Sequence, residues 1–190
     1  TDKPITHVFN SHIHGDHWLA TDAIHQAYPE VIIYAHPMML EEAKAGEGDN
    51  WVKLMSSLTA GATNGTKVVL PTHTLEDQQV VKIDNISIKS HLSDLSHTKT
   101  DAMFQIVEDK VLITGDNAFN NRMPRLDDGS WGGNINSTEL ALAFGRNEAT
   151  QALATQDQLC QMRADKKKTQ DKLCNDVLMQ TAVARLSWVG

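Results

Sequence analysis

The spacing of hydrophobic positions changes several times in the first 46 residues and predicts strands and helices in alternation. Apolar runs of strand length alternate with segments whose apolar residues recur at helical intervals. In order they are ITHVFN (5–10, strand), HWLATDAIHQAY (17–28, helix), EVIIYAH (30–36, strand) and PMMLEEAKAG (37–46, helix). Pro29 ends the first helix, and the second has Pro37 near its start and Gly46 or Gly48 near its end.

Four further strands are predicted between residues 79 and 116, where apolar and polar residues alternate in short runs. They are QVVKI (79–83), ISIKSHL (86–92), TDAMFQIVE (100–108) and KVLITGD (110–116). The tight connections at Asp84-Asn85 and 108–110 favour hairpins. The pattern therefore indicates an α/β (α+β) fold with antiparallel strand pairs.

The composition changes near residue 137. Beyond it there is no proline, and after Gly145 no glycine until Gly190, while alanine, leucine, glutamine and lysine are frequent. We therefore predict a domain at 1–136 and a helical C-terminal segment at 137–190 that packs on the domain or on a partner chain.

Charge and hydropathy exclude two classes of partner. The net charge is −7, and the one basic run is Lys166–Lys168, so binding to a nucleic-acid backbone is disfavoured. No apolar run approaches the roughly 20 residues of a membrane span, and the first residues lack a signal-peptide pattern. We expect a soluble protein, and the sequence does not indicate its localisation.

The most informative stretch is SHIHGDH at 11–17. Alternate residues of an extended segment project to the same side, so His12 and His14 can reach one point. Gly15 permits a turn that brings Asp16 and His17 towards the same pocket. Imidazole nitrogens suit zinc and related divalent ions, and three protein ligands with an open position are typical of a catalytic site. The stretch predicts a metal site.

These residues resemble the HxHxDH signature of the metallo-beta-lactamase superfamily. Two further segments, LSHTKTDAMFQI (95–106) and KVLITGDNAF (110–119), resemble its GHT and TGD segments in the same order. The resemblance implies an αββα sandwich in which His12, His14 and His97 hold a first zinc ion. It also implies that Asp116 bridges two ions, and that Asp16 and His17 serve the second ion and the attacking water.

Two departures from the family pattern leave two hypotheses open. Only about ten residues precede the motif, where the family has several strands, and no histidine follows His97, where the family has a last ligand. The first hypothesis is a zinc-dependent hydrolase of a small-molecule substrate with one metal position intact. The alternative is a degenerate, non-catalytic remnant that self-associates, with or without a metal. Both predict a homo-oligomer, because a partial sandwich exposes an edge and an apolar face.

The remaining histidines match no ligand position. We expect His7 to pack or form hydrogen bonds within its strand, and His25, His36 and His73 to lie at the surface or in turns. His91 lies near a strand end without a matching role. Asp94 and Asp101 are either exposed loop carboxylates or partners of a histidine N–H.

Overall fold

The computed structural model describes residues 3–119, 123–126 and 128–147. Its strands are β1 (His7–Phe9), β2 (Ile32–Ala35), β3 (His73–Thr74), β4 (Val80–Ile83), β5 (Ile86–Ser93), β6 (Asp101–Ile106) and β7 (Val111–Ile113). Its α-helices are α1 (Gly15–Trp18), α2 (Thr21–Ala27), α3 (Pro37–Glu42), α4 (Gly48–Leu58) and α5 (Trp131–Asn147). A π-helical turn (Ala43–Glu47) joins α3 to α4, and a 3-10 turn (Gly115–Asn117) follows β7.

The strands form two sheets of different kinds. The first has the order β1-β2-β3 and is parallel, and the second has the order β4-β5-β6-β7 and is antiparallel. The sheets pack face to face, since Phe9 of β1 contacts both Tyr34 of β2 and Phe104 of β6, with ring centroids 5.0 and 5.3 Å apart. Buried Leu75 completes this inner layer.

Helices cover both outer faces of the sandwich. On the first sheet, Trp18, Met39 and neighbouring apolar residues of α1, α3 and α4 pack around Ala35 of β2. On the second sheet, Leu142 and its neighbours in α5 pack against Met103 of β6. The described residues therefore form helix, sheet, sheet and helix layers, which confirms the predicted partial αββα sandwich.

Most predicted elements are confirmed, with differences at the helices. The helix expected at 17–28 is split into α1 and α2. Helix α3 ends at Glu42, and Gly46 in the following π-helical turn adopts a φ of +108°, which breaks the helical backbone close to the predicted end and lets the chain turn into α4. The sequence reasoning missed α4 and the two-residue strand β3.

The predicted helical segment is described only in part. Helix α5 begins at Trp131, before the predicted boundary, and packs on the second sheet. Residues 148–190 lie outside the described residues, so what they pack against stays a prediction. None of the described helices combines the length and the apolar character that a membrane span requires.

Candidate metal centre

The backbone after β1 carries two histidines from the first sheet to the second. The Ala102 amide of β6 donates to the carbonyl oxygen of Ser11 at 2.8 Å, and the amide between the two histidines donates to Thr100 Oγ1 at 3.0 Å. His12 and His14 point to the same side, with ring centroids 4.7 Å apart. Their alternate spacing predicts this arrangement.

Helix α1 presents the next two residues of the motif. It begins at Gly15, and Trp18 fixes it, because the indole Nε1–H donates to the Ile13 carbonyl at 2.7 Å in the core. Asp16 and His17 thus lie in one short helical turn beside the histidine pair. The ring centroid of His17 is 4.1 Å from that of His12.

A hydrogen-bonded loop between β5 and β6 presents His97. The buried carboxyl of Asp101 accepts the Thr98 amide at 2.7 Å and the Thr98 hydroxyl at 3.1 Å. Burial raises the pKa of Asp101 to about 7, although these hydrogen bonds favour the charged form. Asp101 therefore holds the loop through the amide and hydroxyl of Thr98, and not through a histidine ring.

Close backbone packing at the start of α5 holds the same loop. A Cβ atom on Gly133 would overlap the carbonyl oxygen of Leu95, and one on Gly129 would overlap the backbone of Ser96 and His97. The sequence itself gives no sign of these two contacts. Only contact across the tertiary structure gives the two glycines their role.

A buried polar network ties three parts of the centre together. Ser96 donates to the Asn117 side chain, and the Asn134 amide donates to Ser96 Oγ at 3.3 Å and to the Asn117 carbonyl at 3.2 Å. Asn117 follows Asp116 in the 3-10 turn, and Asn134 belongs to α5. The network fixes the turn of Asp116 relative to the loop of His97.

Three imidazole nitrogens converge at the centre. One ring nitrogen from each of His12, His14 and His97 lies within 4.8 Å of the other two. Within this group, His97 Nε2 and His14 Nδ1 lie 3.0 Å apart. His12 Nε2 is buried and has no hydrogen-bond partner within the described part of the chain.

The other ring nitrogens determine where the protons are. His97 Nδ1 lies against the Arg125 carbonyl oxygen, which only accepts, so Nδ1 carries the proton and Nε2 a lone pair. His14 Nε2 lies 3.2 Å from the Asp128 carboxylate, so in the neutral ring the proton sits on Nε2 and a lone pair on Nδ1. Two facing lone pairs cannot hydrogen-bond to each other. A shared cation satisfies both.

Electrostatics favour the neutral, metal-binding form of two of these rings. Burial lowers the pKa of His12 to about 2, with further lowering from His17, His14 and His97. Burial is also the main cause that lowers the pKa of His97. Because metals bind neutral imidazole, the cluster fits a divalent ion.

A second group of possible ligands adjoins the first. His12, His17 and Asp116 also have ligand atoms within 4.8 Å of one another. The two oxygens of Asp116 lie 3.4 Å from His17 Nε2 and 3.6 Å from His97 Nε2, so this carboxylate lies between the two groups. The Asp16 carboxylate is 65% exposed and 3.7 Å from His17 Nε2, at the rim of the centre.

The other histidines lie outside the two ligand groups. His7 stacks on Tyr34, and His73 is exposed in β3. His36, expected in a turn or at the surface, is buried at the start of α3, where its Nδ1 accepts the Met38 amide at 3.1 Å. His91 is buried and hydrogen-bonds to Gln78 and Gln105.

Comparisons of the fold identify similar solved structures. BLEG-1 B3 metallo-beta-lactamase is 19% identical, with a TM-score of 0.52 over 70% of this chain and 61% of that chain. TTHA1623 in a di-iron-bound form is 18% identical, with a TM-score of 0.54 over 74% of this chain and 65% of that one. The sec-alkylsulfatase Pisa1 from Pseudomonas sp. is 17% identical, with a TM-score of 0.63 over 86% and 33%. This chain thus spans less than two thirds of each.

The family assignment rests on the sequence as well as the fold. No curated protein sequence matches the chain significantly. The family model described as the metallo-beta-lactamase superfamily matches residues 1–150, which include every residue of both ligand groups. The chain therefore belongs to the metallo-beta-lactamase superfamily.

Proposed function

We propose that the protein is a zinc-dependent hydrolase of a small-molecule substrate, with His12, His14 and His97 as the zinc ligands. The observation that carries the proposal is the convergence of three ring nitrogens, one each from His12, His14 and His97, within 4.8 Å of one another, where buried His12 Nε2 has no hydrogen-bond partner among the described residues. Three nitrogen ligands would leave one position of a bound zinc ion open for water, as in catalytic zinc sites.

The nearby side chains support hydrolysis. A bound zinc ion lowers the pKa of its water towards neutrality and makes hydroxide available. Asp116, which lies between the two ligand groups, orients the water, and His17 and Asp16 accept its proton or return it. The water oxygen forms a bond to the substrate's electrophilic centre, the bond to the leaving atom breaks, and that atom takes up a proton.

The second metal position is weaker in this proposal. His12 can give its buried Nε2 to only one ion, which leaves His17, Asp116 and exposed Asp16 for a second. We therefore infer one tightly bound zinc per chain.

The structural neighbours suggest which classes of substrate to test. One neighbour is a metallo-beta-lactamase and another a sec-alkylsulfatase, so a lactam and a sulfate ester are two candidate substrates. A thioester and a phosphodiester complete the set, since fold alone does not fix the substrate in such enzymes.

The test is hydrolysis of these four substrate classes by the zinc-loaded protein. We expect turnover of at least one class, loss of turnover in His14→Ala, and a fall of about a hundredfold or more in Asp116→Asn. His73→Ala, which changes an exposed histidine outside the centre, is the matched control. Zinc bound without turnover of any class would contradict the proposal and support the alternative of a non-catalytic remnant.

A further inference from the structure

Helix α4 carries an apolar stripe that the core buries only in part. Trp51, Leu54, Met55 and Leu58 recur at the spacing of one helix face. Trp51 and Met55 pack against the core cluster around Trp18, but Leu54 is 44% and Leu58 71% exposed. The apolar face thus extends beyond the core, and the part that extends faces solvent.

The stripe lines the same cavity as the metal centre. A cavity of about 420 Å³ is bounded by all four residues of the stripe and by ligand residues of the centre, including His14, His97 and Asp116. Its volume falls within the roughly 300–1,000 Å³ of small-molecule sites. One cavity therefore combines polar, metal-binding groups with an apolar wall.

The two parts of the cavity are in direct contact. The ring centroids of Trp51 and His14 are 4.9 Å apart, so the apolar wall begins next to a proposed zinc ligand. Phe119, which lies 6.2 Å from the His97 ring, adds a second aromatic group to the lining. A single small molecule can therefore place a polar group at the histidines and an apolar group along α4.

We propose that Trp51, Leu54, Met55 and Leu58 bind an unbranched alkyl chain of the substrate, whose hydrolysable polar group lies at the metal centre. This inference rests on the proposed function for the position of the polar group. The stripe follows the helix for two turns, which suits an extended chain better than a compact ring. The substrate class is thus an amphiphile with a linear alkyl tail and a hydrolysable polar group.

Binding of n-alkyl glucosides of four, six and eight carbons tests the proposal by calorimetry, with and without zinc. The glucoside head group carries no charge and is therefore not attracted to a zinc ion. The factor by which affinity rises with each added methylene group, called the slope below, then reports on binding of the alkyl chain. Full burial of a methylene group improves affinity about fourfold, and in this open cavity we expect at least about twofold per methylene. In the double variant Leu54→Asn, Leu58→Asn the slope should fall to near onefold, so that a longer alkyl chain no longer improves affinity.

The control variant is Leu140→Asn, which changes a helix-surface leucine of α5 that is 37% exposed and outside the cavity. It should keep the wild-type slope. Equal affinity for all three glucosides would overturn the inference, as would an unchanged slope in the double variant whose circular dichroism matches that of the wild type. Either result leaves the proposed hydrolysis intact, because metal content and turnover of short substrates are measured separately.

Discussion

At the scale of single residues, the polar partners of the histidines matter as much as the ligands. The Asp128 carboxylate accepts a hydrogen bond from His14 Nε2, which leaves Nδ1 available as the proposed zinc-binding atom. The Arg125 carbonyl accepts a hydrogen bond from His97 Nδ1, which leaves Nε2 of that ring available in the same way. Neither partner can be recognised from the sequence. Every residue has a backbone carbonyl, so that of Arg125 leaves no sequence signal, and Asp128 belongs to a loop far in sequence from the histidine motif at 11–17.

Asp128→Ala should weaken zinc binding about tenfold without unfolding the protein. The His14 ring then loses the acceptor that fixes its tautomer, and losing such a partner costs about ten- to a hundredfold in affinity. The lower end applies because Asp128 is 64% exposed. The measurement is competition with a zinc chelator, and the control is Asp109→Ala in the exposed β6–β7 turn. Equal zinc affinity in Asp128→Ala and wild type would refute this role.

Stability should fall as pH drops below about 6.5, partly because of His36. Burial lowers the pKa of His36, and the nearby Asp94 carboxylate offsets this only in part. The unfolded chain binds a proton near pH 6.5 that the folded state does not bind until lower pH, so acid favours unfolding in that window.

His36→Asn should reduce this loss while keeping a side-chain oxygen for the Met38 amide. Between about pH 7 and pH 5, the free energy of unfolding measured with urea should fall less steeply with decreasing pH in this variant than in wild type. His73→Asn, at an exposed position, should not change it. A slope in His36→Asn as steep as in wild type would show that other buried histidines account for the effect.

At the scale of elements, α5 supports the metal centre through close backbone contact. Its first turn packs on the loop of His97 at Gly133, and Asn134 joins the buried network to Asn117. The helix therefore connects the second sheet to both ligand-bearing segments that follow β5 and β7.

Gly133→Ala should destabilise the protein by about 1–3 kcal/mol and weaken zinc binding, because the new methyl group overlaps the Leu95 carbonyl. Gly132→Ala is the matched control, since apart from its chain neighbours and its own helix backbone no atom of the described residues lies within 4 Å of a Cβ at that position. Alanine is the better helix former, so the control should be neutral or stabilising. Thermal unfolding with and without zinc measures both effects, and equal melting temperatures for the two variants would contradict the packing argument.

Local spacing predicted six of the described strands and the common side of His12 and His14, whereas His97 and Asp116 were predicted only through the family resemblance, because they lie far from the motif in the sequence. The alternation at His12 and His14 fixes their common side. The sequence analysis did not predict α4, because its apolar stripe starts after a glycine-containing segment that suggested the end of a helix. It also missed the roles of Gly133, Asn117 and Asn134, which depend on contacts between distant segments.

At the scale of the whole molecule, an apolar part of the second sheet faces solvent. Ile113 and Val111 of β7 pair with Phe104 and Ile106 of β6, so they share the inner face of the sandwich. They are nevertheless 50% and 40% exposed. Uncovered apolar surface on an edge strand favours association.

We therefore predict a homodimer or larger oligomer, and Ile113→Lys should shift it towards smaller species. The lysine places a charge on the exposed apolar surface, which disfavours its burial against another subunit. Multi-angle light scattering at micromolar concentration gives the mass. The control is Leu70→Lys, which changes an exposed leucine elsewhere on the surface. A monodisperse wild-type monomer would contradict this prediction.

The most direct test of the central claim is calorimetric titration of the demetallated protein with zinc, with metal content confirmed by mass spectrometry. The claim is that His12, His14 and His97 form one complete zinc site and that the adjoining group does not form a second. Wild type should bind about one zinc per chain tightly, His97→Ala should lose that binding, and His17→Ala should keep it. Two tightly bound zinc ions per chain, or none in excess zinc at neutral pH, would contradict the account.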